Sequence, residues 1–522
     1  MATTANHEIA AANGHGQLNF SPDHHHHGPK PLRRLLHMIQ PERRDIGLLS
    51  VFAIGIAILS LAVPITVETL VNTVQGGNLL MMQAVIVLSF ILLFCLVLAG
   101  AMRILSTYIV ELIQRRVFVR VVSELAYRLP RVQTEAFDQH HGPDLVNRFF
   151  DVMTIQKSGS TLLLDGLTVV AQAIVGLVVL GFWHPFLLGF DTAVLLAMVF
   201  LVWLLGHGGI RTKIQESFAK YAVAGWLEEM VRHPVAFKMA FGQDFAMVRA
   251  DDLTRDYLRC RVNSFYILFR QIIFGIILQA LASAALLGLG GYLVVRNELT
   301  VGQLVAAELI VIVLVGSFVK LGKSLESYYD LMAATDKLGH LVDLPIEEES
   351  GEKVLFPSGP ASLRLNRVRF SYLNGTEVLH GVDFAVEPGE RIAVLGPSGC
   401  GKSTLMDMLL GLRRPSSGSI ELDKFDLRDI NLRTLRSQLA SSAGTEVFGG
   451  SILDNVRIGR EEVSLADIRT SLETVGMLEK LQALPNGLNS PLLSGGNQLS
   501  QGEIQRLMLA RALAGRPRLL LI

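Results

Sequence analysis

Six apolar stretches dominate the first two thirds of this 522-residue chain. A helix needs about 20 consecutive apolar residues to cross the hydrocarbon core of a bilayer, and each stretch meets or nearly meets that length. A buried soluble core would explain one such stretch, but not six in one chain. The sequence therefore predicts a polytopic membrane protein. The predicted spans are Ile46–Val74, Met82–Ile104, Leu162–Trp183, Phe186–Leu205, Tyr266–Val295 and Val301–Leu321.

The positions of the basic residues predict the orientation of these spans. Cytoplasmic loops of membrane proteins carry an excess of Lys and Arg. Arg and Lys precede the first span and are frequent in the long connections Arg103–Ser160 and Gly206–Ser264, whereas Gln75–Leu80 carries no charge. The N-terminus and both long connections are therefore predicted to be cytoplasmic. After six spans the chain returns to the cytoplasm near Lys323.

The N-terminal residues divide into a tail and a first helix. Met1–Pro31 is polar and lacks an apolar period, which is typical of a disordered segment. Its four consecutive histidines, His24–His27, have the composition of a loose transition-metal site. Such a tract is more often a solvated tail, and we assign it no function. Leu32–Ile39 has apolar residues at helical spacing and is expected to lie at the inner membrane surface.

The two long cytoplasmic connections are too periodic to be loops. Ser106–Pro130 and Leu145–Thr161 are predicted to extend spans two and three around a turn at His140–Pro143, where Gly and Pro break the helix. Phe218–Arg261 is predicted to do the same between spans four and five, with a turn from His233 to Gly242. Both turns are expected to lie far below the bilayer, within reach of a cytoplasmic domain.

The sequence pattern changes after span six. An acidic segment rich in Gly, Pro and Ser is followed by short apolar strands, predicted at Leu363–Tyr372, Val378–Val386, Arg391–Leu395 and Ser419–Leu422. This is the pattern of a soluble α/β domain. The predicted domains are a tail (1–31), a helical membrane domain with six spans (32–345), a linker (346–360) and an α/β domain (361–522).

The α/β domain carries a phosphate-binding loop. The segment from Gly396 to Ser403 fits the pattern G-x-x-x-x-G-K-[ST] and lies between a predicted strand, Arg391–Leu395, and a predicted helix, Ser403–Leu412. Glycines let successive backbone N–H groups point at phosphates, and the helix N-terminus adds positive charge. Lys402 is predicted to reach the β and γ phosphates and Ser403 to bind Mg²⁺. The predicted ATP-binding residues here are Gly396, Pro397, Ser398, Gly399, Cys400, Gly401, Lys402, Ser403 and Thr404.

Charge and cysteine content exclude other classes. The formal net charge is zero, so the sequence predicts no nucleic-acid partner. Cys95, Cys260 and Cys400 are scattered, and they form neither a metal-ligand spacing nor a disulfide framework. Cys400 lies inside the phosphate-binding loop, where alkylation would be expected to interfere with nucleotide binding, although any small residue serves at that position.

Six spans with long cytoplasmic helices, followed by a phosphate-binding loop, resemble an ATP-binding cassette (ABC) half-transporter of the exporter type, and the resemblance covers about Leu32 to Ile522. The family places an aromatic residue that stacks on adenine upstream of the loop, which here corresponds to Tyr372. A tyrosine at a strand end that packs on the core is the alternative. The resemblance also implies a bacterial inner membrane, with the ATP-binding domain cytoplasmic.

The family's second motif, the signature sequence, has two candidates. Leu493–Asn497 matches its usual opening better by letter, whereas Leu499–Glu503 departs from it at Gln501. The motif places a helix N-terminus at the γ-phosphate held by the partner subunit, and Ser500-x-x-Glu503 is a capping box followed by an amphipathic helix. We therefore predict the second candidate as the signature. Its predicted nucleotide contacts are Ser500, Gln501, Gly502 and Glu503.

Two departures from the family concern catalysis. In the family, a glutamine contacts Mg²⁺ at the position that corresponds to Ala443 in this chain. Glu446 or water is expected to take its place. Gln438 lies too early in the sequence and is expected at a strand end. The catalytic carboxylates are expected beyond Ile522, so the sequence assigns no catalytic residue. The chain is then expected to be either a fragment of a longer product or a truncated form that cannot hydrolyse ATP.

The resemblance implies ATP-driven export by a homo- or heterodimer in which two half-transporters enclose ATP and Mg²⁺. The alternative is a non-catalytic, nucleotide-sensing subunit that pairs with an intact half-transporter, which the departures at Ala443 and Gln501 favour. Lipid, peptide and hydrophobic drug are all compatible with the sequence as the exported substrate. Polar side chains inside the predicted spans are candidates for contacting it: Glu68, Gln172, Asp191, Gln279 and Glu308.

Overall fold

The computed structural model describes residues 31–75, 81–138, 147–372, 375, 377–496 and 498–522. The described residues form two compact units. The first contains residues 31–130 and 147–344, and the second contains residues 131–138 and 345–522. The histidine tract, the connection 76–80 and the turn His140–Pro143 lie outside the described residues. The domain limits drawn from the sequence stay predictions.

In its described part, the first unit has helices joined by short turns and no strands. Its helices are α1 (Pro31–Ile39), α2 (Arg43–Ser60), α3 (Ala62–Gln75), α4 (Met81–Arg128), α5 (Asp151–Thr161), α6 (Leu167–Trp183), α7 (Pro185–Phe200), α8 (Gly209–Arg232), α9 (Pro234–Lys238), α10 (Gly242–Val295) and α11 (Val301–Val342).

All six predicted spans fall on apolar helices. Among the described residues, four helical stretches are long and apolar enough to cross a membrane: Pro31–Val74, Gln83–Arg131, Arg148–Trp183 and Gly242–Val295. Two shorter apolar helical segments, Pro185–Ala197 and Val301–Val313, correspond to spans four and six. Large apolar side chains such as Phe94 and Phe182 point away from the packed helices, which suits a helix that faces lipid.

Span one differs from the prediction of an unbroken helix. Helix α2 ends at Ser60 and α3 begins at Ala62. Pro64 is four residues beyond Ser60, and a proline ring clashes with the carbonyl of the residue four positions earlier while supplying no N–H to it. Two other local changes of helical pitch occur as π turns at Leu162–Gly166 and Leu201–Leu205.

Below the predicted spans, α1, α4, α5 and α11 share a core that includes Val152, Met332 and Leu338. A lysine is buried beside this core. Lys337, on α11, is 1% exposed, and its ammonium donates to the Ser217 hydroxyl. The ammonium lies 3.9 Å from the centroid of the Tyr221 ring. The α8 helix therefore supplies a hydroxyl group and an aromatic ring that contact the buried lysine side chain.

The second unit combines short sheets with helices. Its strands are β1 (Leu363–Ser371), β2 (Glu377–Val386), β3 (Ser417–Leu422), β4 (Phe425–Asp426), β5 (Leu439–Ser441), β6 (Gly450–Ser451), β7 (Pro491–Leu492) and β8 (Leu519–Leu521). Its helices are α12 (Lys402–Leu409), α13 (Leu432–Gln438), α14 (Ile452–Arg457), α15 (Leu465–Thr474), α16 (Leu478–Gln482) and α17 (Gln501–Ala514).

Three sheets are present among the described residues. An antiparallel sheet has the order β2-β1-β3-β4, while β5 pairs in parallel with β8 and β6 pairs with β7. The inner face of the first sheet packs on α12 through Leu365, Phe370 and Met408. A second cluster, formed by Ile452, Leu507 and neighbouring residues, lies under α17.

The prediction of a strand at Arg391–Leu395 is wrong. These residues pair with no described strand, and Leu395 is 89% exposed. An apolar run becomes a strand only where another strand satisfies its backbone donors and acceptors, and the run alone does not supply that partner. Gln438, expected at a strand end, instead closes helix α13 directly before β5.

Candidate nucleotide site

The glycines of the phosphate-binding loop adopt the backbone conformation that the motif requires. Gly399 and Gly401 have φ values of 85° and 94°, in the left-handed region that favours glycine. Gly401 is the N-cap of α12. A Cβ atom at Gly401 would lie 2.7 Å from the Leu379 side chain and 2.9 Å from that of Val378. Both the backbone and the packing therefore require a glycine at this position.

Lys402 closes the loop from the helix side. Its Nζ donates hydrogen bonds to the carbonyl oxygens of Gly396 at 2.9 Å and Pro397 at 2.8 Å. The ammonium therefore lies among the loop carbonyls at the start of α12, where the helix dipole also favours an anion. The Ser403 side chain is exposed beside it, and Pro397, Ser398 and Cys400 are exposed along the loop.

Tyr372 contacts the helix that follows the loop. Its hydroxyl and the Thr404 hydroxyl share a hydrogen bond of 3.0 Å, and Thr404 is 5% exposed. The ring meets Phe370 edge to face, with centroids 5.0 Å apart. The structure thus brings Tyr372 and the phosphate-binding loop together, although they are separated in sequence by β2 and the segment after it.

Arg413, which no sequence motif selects, lies against Tyr372. Its guanidinium carbon is 5.0 Å from the centroid of the Tyr372 ring. Two nitrogens of Arg413 each donate to Asp138 at 2.7 Å, and its Nε is 3.3 Å from a carboxylate oxygen of Asp407. The bidentate bonds to Asp138 raise the pKa of Arg413 and the same bonds lower the pKa of Asp138. Both groups therefore stay charged at neutral pH.

Asp138 belongs to a segment that links α4 to α5 in the chain but folds with the second unit. Val132 forms a β-bridge with Ile346, and the Gln133 N–H donates to the Pro345 carbonyl. The segment Arg131–Asp138 is therefore fixed to the second unit by backbone bonds at one end and by the Arg413 ion pair at the other.

The two signature candidates differ in structure as the capping argument predicts. Ser500 is the N-cap of α17, its hydroxyl accepts from the Glu503 N–H, and the Ser500 N–H donates to the Glu503 carboxylate. A hydrogen bond from Lys480 is the main reason why the pKa of Glu503 falls to about 2. By contrast, Ser494–Gly496 lie in a turn and not at the start of a helix.

Ser500–Glu503 and Tyr372 belong to different parts of the second unit. The residues that follow Glu503 pack into the cluster under α17, whereas Tyr372 packs on the cluster under α12. Gln501 and Gly502 are exposed at the start of α17. The start of α17 and Tyr372 therefore belong to two different hydrophobic clusters of the second unit.

The position expected for the Mg²⁺-contacting glutamine has no side-chain ligand. Ala443 follows β5, and its N–H donates to the Ser441 hydroxyl at 3.1 Å. Glu446 has an exposed side chain, while its carbonyl accepts from Arg511. Among the described residues, there is no group of three or more His, Cys, Asp or Glu side chains that could hold a metal ion. The Ser403 side chain is exposed next to Lys402 at the start of α12, and its contact with Mg²⁺ stays a prediction.

Comparison with known proteins places both units in one family. The family model for the ABC transporter transmembrane region matches residues 46–318, and a second family model, described as ABC transporter, matches residues 379–522. The chain is 26% identical to the ATP-dependent lipid A-core flippase of Chromobacterium violaceum, over 90% of this chain and 81% of that protein. It is 28% identical to the alpha-hemolysin translocation ATP-binding protein of Escherichia coli O157:H7, over 45% of this chain and 33% of that protein.

A solved structure shares the fold. A bacterial Atm1-family ABC exporter with ATP bound superposes with a TM-score of 0.77 at 23% identity, covering 92% of this chain and 85% of that chain. This likeness and the two family models confirm the predicted fold class of a helical membrane domain followed by an ATP-binding domain. The chain is a multi-pass membrane protein and belongs to the ABC transporter family, as a half-transporter that joins one transmembrane region to one ATP-binding region.

Proposed function

We propose that this chain exports a substrate across the bacterial inner membrane as half of a dimer, driven by ATP and Mg²⁺. The observation that carries the proposal is the loop of left-handed glycines at the start of α12 with Lys402 folded among its carbonyls. ATP would replace those carbonyls as the partner of the ammonium, and Ser403 would contribute to the Mg²⁺ shell. The N-terminus and the ATP-binding unit face the cytoplasm, in keeping with the distribution of Lys and Arg.

The nucleotide is proposed to be enclosed by two copies of the ATP-binding unit. The residues from Gly396 to Thr404, with Tyr372, hold it from one copy, while Ser500, Gln501, Gly502 and Glu503 approach the γ-phosphate from the other. Support comes from the capped N-terminus of α17, which packs on a core separate from that of the loop. A helix start with exposed Gln501 and Gly502 has free backbone donors for an anion.

The dimer is tested by mixing two defective chains. Lys402→Ala removes the loop cation, and Ser500→Arg blocks the signature helix. A homodimer of either variant has no intact site, whereas a mixed dimer has one site with both defects and one intact site. Radiolabelled ATP retained after gel filtration of the co-expressed full chains in lipid nanodiscs is therefore expected to exceed that of either variant alone. Retention no higher than in the separate variants would contradict enclosure between two copies.

Export is tested in proteoliposomes with the ATP-binding units outside. The substrate class is proposed from the relatives, one of which is a lipid A-core flippase and one a hemolysin translocation protein, and a headgroup-labelled lipid is the first probe. We expect ATP to increase the fraction of labelled lipid that a membrane-impermeant quencher cannot reach, with Lys402→Ala at background. A labelled peptide and a hydrophobic cationic dye are run in parallel, and failure of all three would contradict export of these classes.

The second candidate is a nucleotide-sensing subunit that binds ATP without hydrolysing it. Ala443 favours it, because a methyl group stands where the family has a side chain that contacts Mg²⁺. Phosphate release from the natural protein separates the two. Turnover above the Lys402→Ala background supports the transporter, and ATP binding without turnover supports the sensor.

A further inference from the structure

The environment of Tyr372 contains a cation that neither the phosphate-binding loop nor the signature helix uses. Arg413 is 7% exposed and lies 5.0 Å from the centroid of the Tyr372 ring and 6.0 Å from that of Phe370. A guanidinium over a ring face is attracted by the ring quadrupole and restricts how the ring can turn. The Thr404 hydroxyl holds the other end of the ring through the tyrosine hydroxyl.

Arg413 is itself held by residues from two directions. Asp138 makes the planar, two-point contact that a guanidinium forms best, with both bonds at 2.7 Å. Asp407, on α12, is the second anion, at 3.3 Å from Nε. Of the two carboxylates, Asp138 alone comes from the segment between α4 and α5. The orientation of the Tyr372 ring therefore depends on where that segment holds Asp138.

We propose that Arg413 is a positioning residue for the base-binding ring of Tyr372, and that Asp138 sets the affinity for the adenine base through Arg413. This rests on the proposed function, in which Tyr372 stacks on the base. The chain of contacts reaches the ring but does not include Lys402 or the loop carbonyls. Base affinity and phosphate affinity are consequently separable, and the segment that continues α4 acts on the first alone.

A purely structural role for the ion pair makes a different prediction. If Arg413 only stabilised the fold, its loss would weaken binding of every ligand of the site to the same extent. If it positions the ring, ligands without a base are unaffected. Inorganic tripolyphosphate with Mg²⁺ has the phosphates of ATP but no base, so it is the matched probe.

The experiment measures binding of Mg·ATP and Mg·tripolyphosphate by calorimetry to the full chain in nanodiscs. We expect Arg413→Met to weaken ATP binding about fivefold to tenfold, the size of an aromatic or cation–π contact, and to leave tripolyphosphate binding unchanged. Asp138→Asn should change ATP binding in the same direction by a smaller factor. Equal weakening of both ligands would overturn the proposal.

A double-mutant cycle gives the second readout. Tyr372→Ala removes the ring, so Arg413→Met added to it should have no further effect on ATP binding. Full additivity of the two losses would show that Arg413 acts elsewhere and would overturn the proposal. Arg413→Lys keeps the charge but not the two-point geometry, and it replaces Arg413→Met as the test variant if Arg413→Met does not fold. Arg413→Lys should likewise weaken the binding of ATP and leave the binding of tripolyphosphate unchanged. Failure of the wild-type chain to bind either ligand would instead refute the nucleotide site itself.

Discussion

Replacing Gly401 by alanine tests whether the loop depends on its backbone conformation, its packing or both. The left-handed conformation costs an L-residue about 1–2 kcal/mol. The added Cβ would also lie below 3.0 Å from Leu379 and Val378, and overpacking of this kind costs about 1–3 kcal/mol. Gly401→Ala should therefore destabilise the start of α12 by about 2–5 kcal/mol.

Gly399 is the matched control, because it has φ 85° but no atom within 4 Å of the position that a Cβ would take. Gly399→Ala should cost only the backbone part, about 1–2 kcal/mol. The assay is amide hydrogen exchange of peptides that cover α12, since exchange reports local opening and each 1.4 kcal/mol speeds it about tenfold. The three tryptophans, Trp183, Trp203 and Trp226, lie in the other unit and would not report this change. Equal exchange in the two variants would refute the packing argument.

Two further predictions concern a buried charge and a helix cap. Burial lowers the pKa of Lys337, which lies beyond the apolar part of α11, to about 7 from about 10.5 in an unfolded chain. The unfolded chain then binds more protons between these values, so stability should rise with pH across that window. Lys337→Met should flatten the rise in heat-denaturation midpoint between pH 7 and 9, followed by tryptophan fluorescence, and an unchanged slope would contradict the assignment. Ser500→Ala should destabilise α17 by about 1 kcal/mol while Ser500→Asn preserves its stability, measured by hydrogen exchange of α17; equal losses would contradict the capping role.

The sequence predicted best those features that depend on neighbouring residues. The capping box of Ser500 needs only a glutamate three positions later, and the phosphate-binding loop needs eight consecutive residues. The capping box is present as predicted. A helix follows the loop as predicted, whereas the binding of phosphate by the loop stays a prediction. The apolar runs likewise located the helices of the membrane domain, because the length and hydropathy of a span are properties of the run itself.

Features that depend on distant residues were missed. Arg413 and Asp138 are 275 positions apart, and nothing local to either indicates the other. The segment Arg391–Leu395 has the composition of a buried strand, but strand formation depends on a partner that composition does not reveal. The helix break at Leu61 could have been predicted from the sequence, because Pro64 lies just after it. It was missed because this single proline lies inside a long apolar run that was interpreted as one span.

The central claim is that the loop from Gly396 to Thr404 binds ATP, and binding of Mg·ATP to the full chain in nanodiscs tests it most directly. Lys402 would exchange two hydrogen bonds to neutral carbonyls for hydrogen bonds to phosphates, in which the donor and the acceptor are both charged. Lys402→Ala should weaken ATP binding at least about tenfold, since a hydrogen bond to a charged group contributes about 1.5–3 kcal/mol. Lys353→Ala, an exposed lysine of the same unit, should bind like the wild type. Equal ATP affinity in wild type and Lys402→Ala would contradict the account.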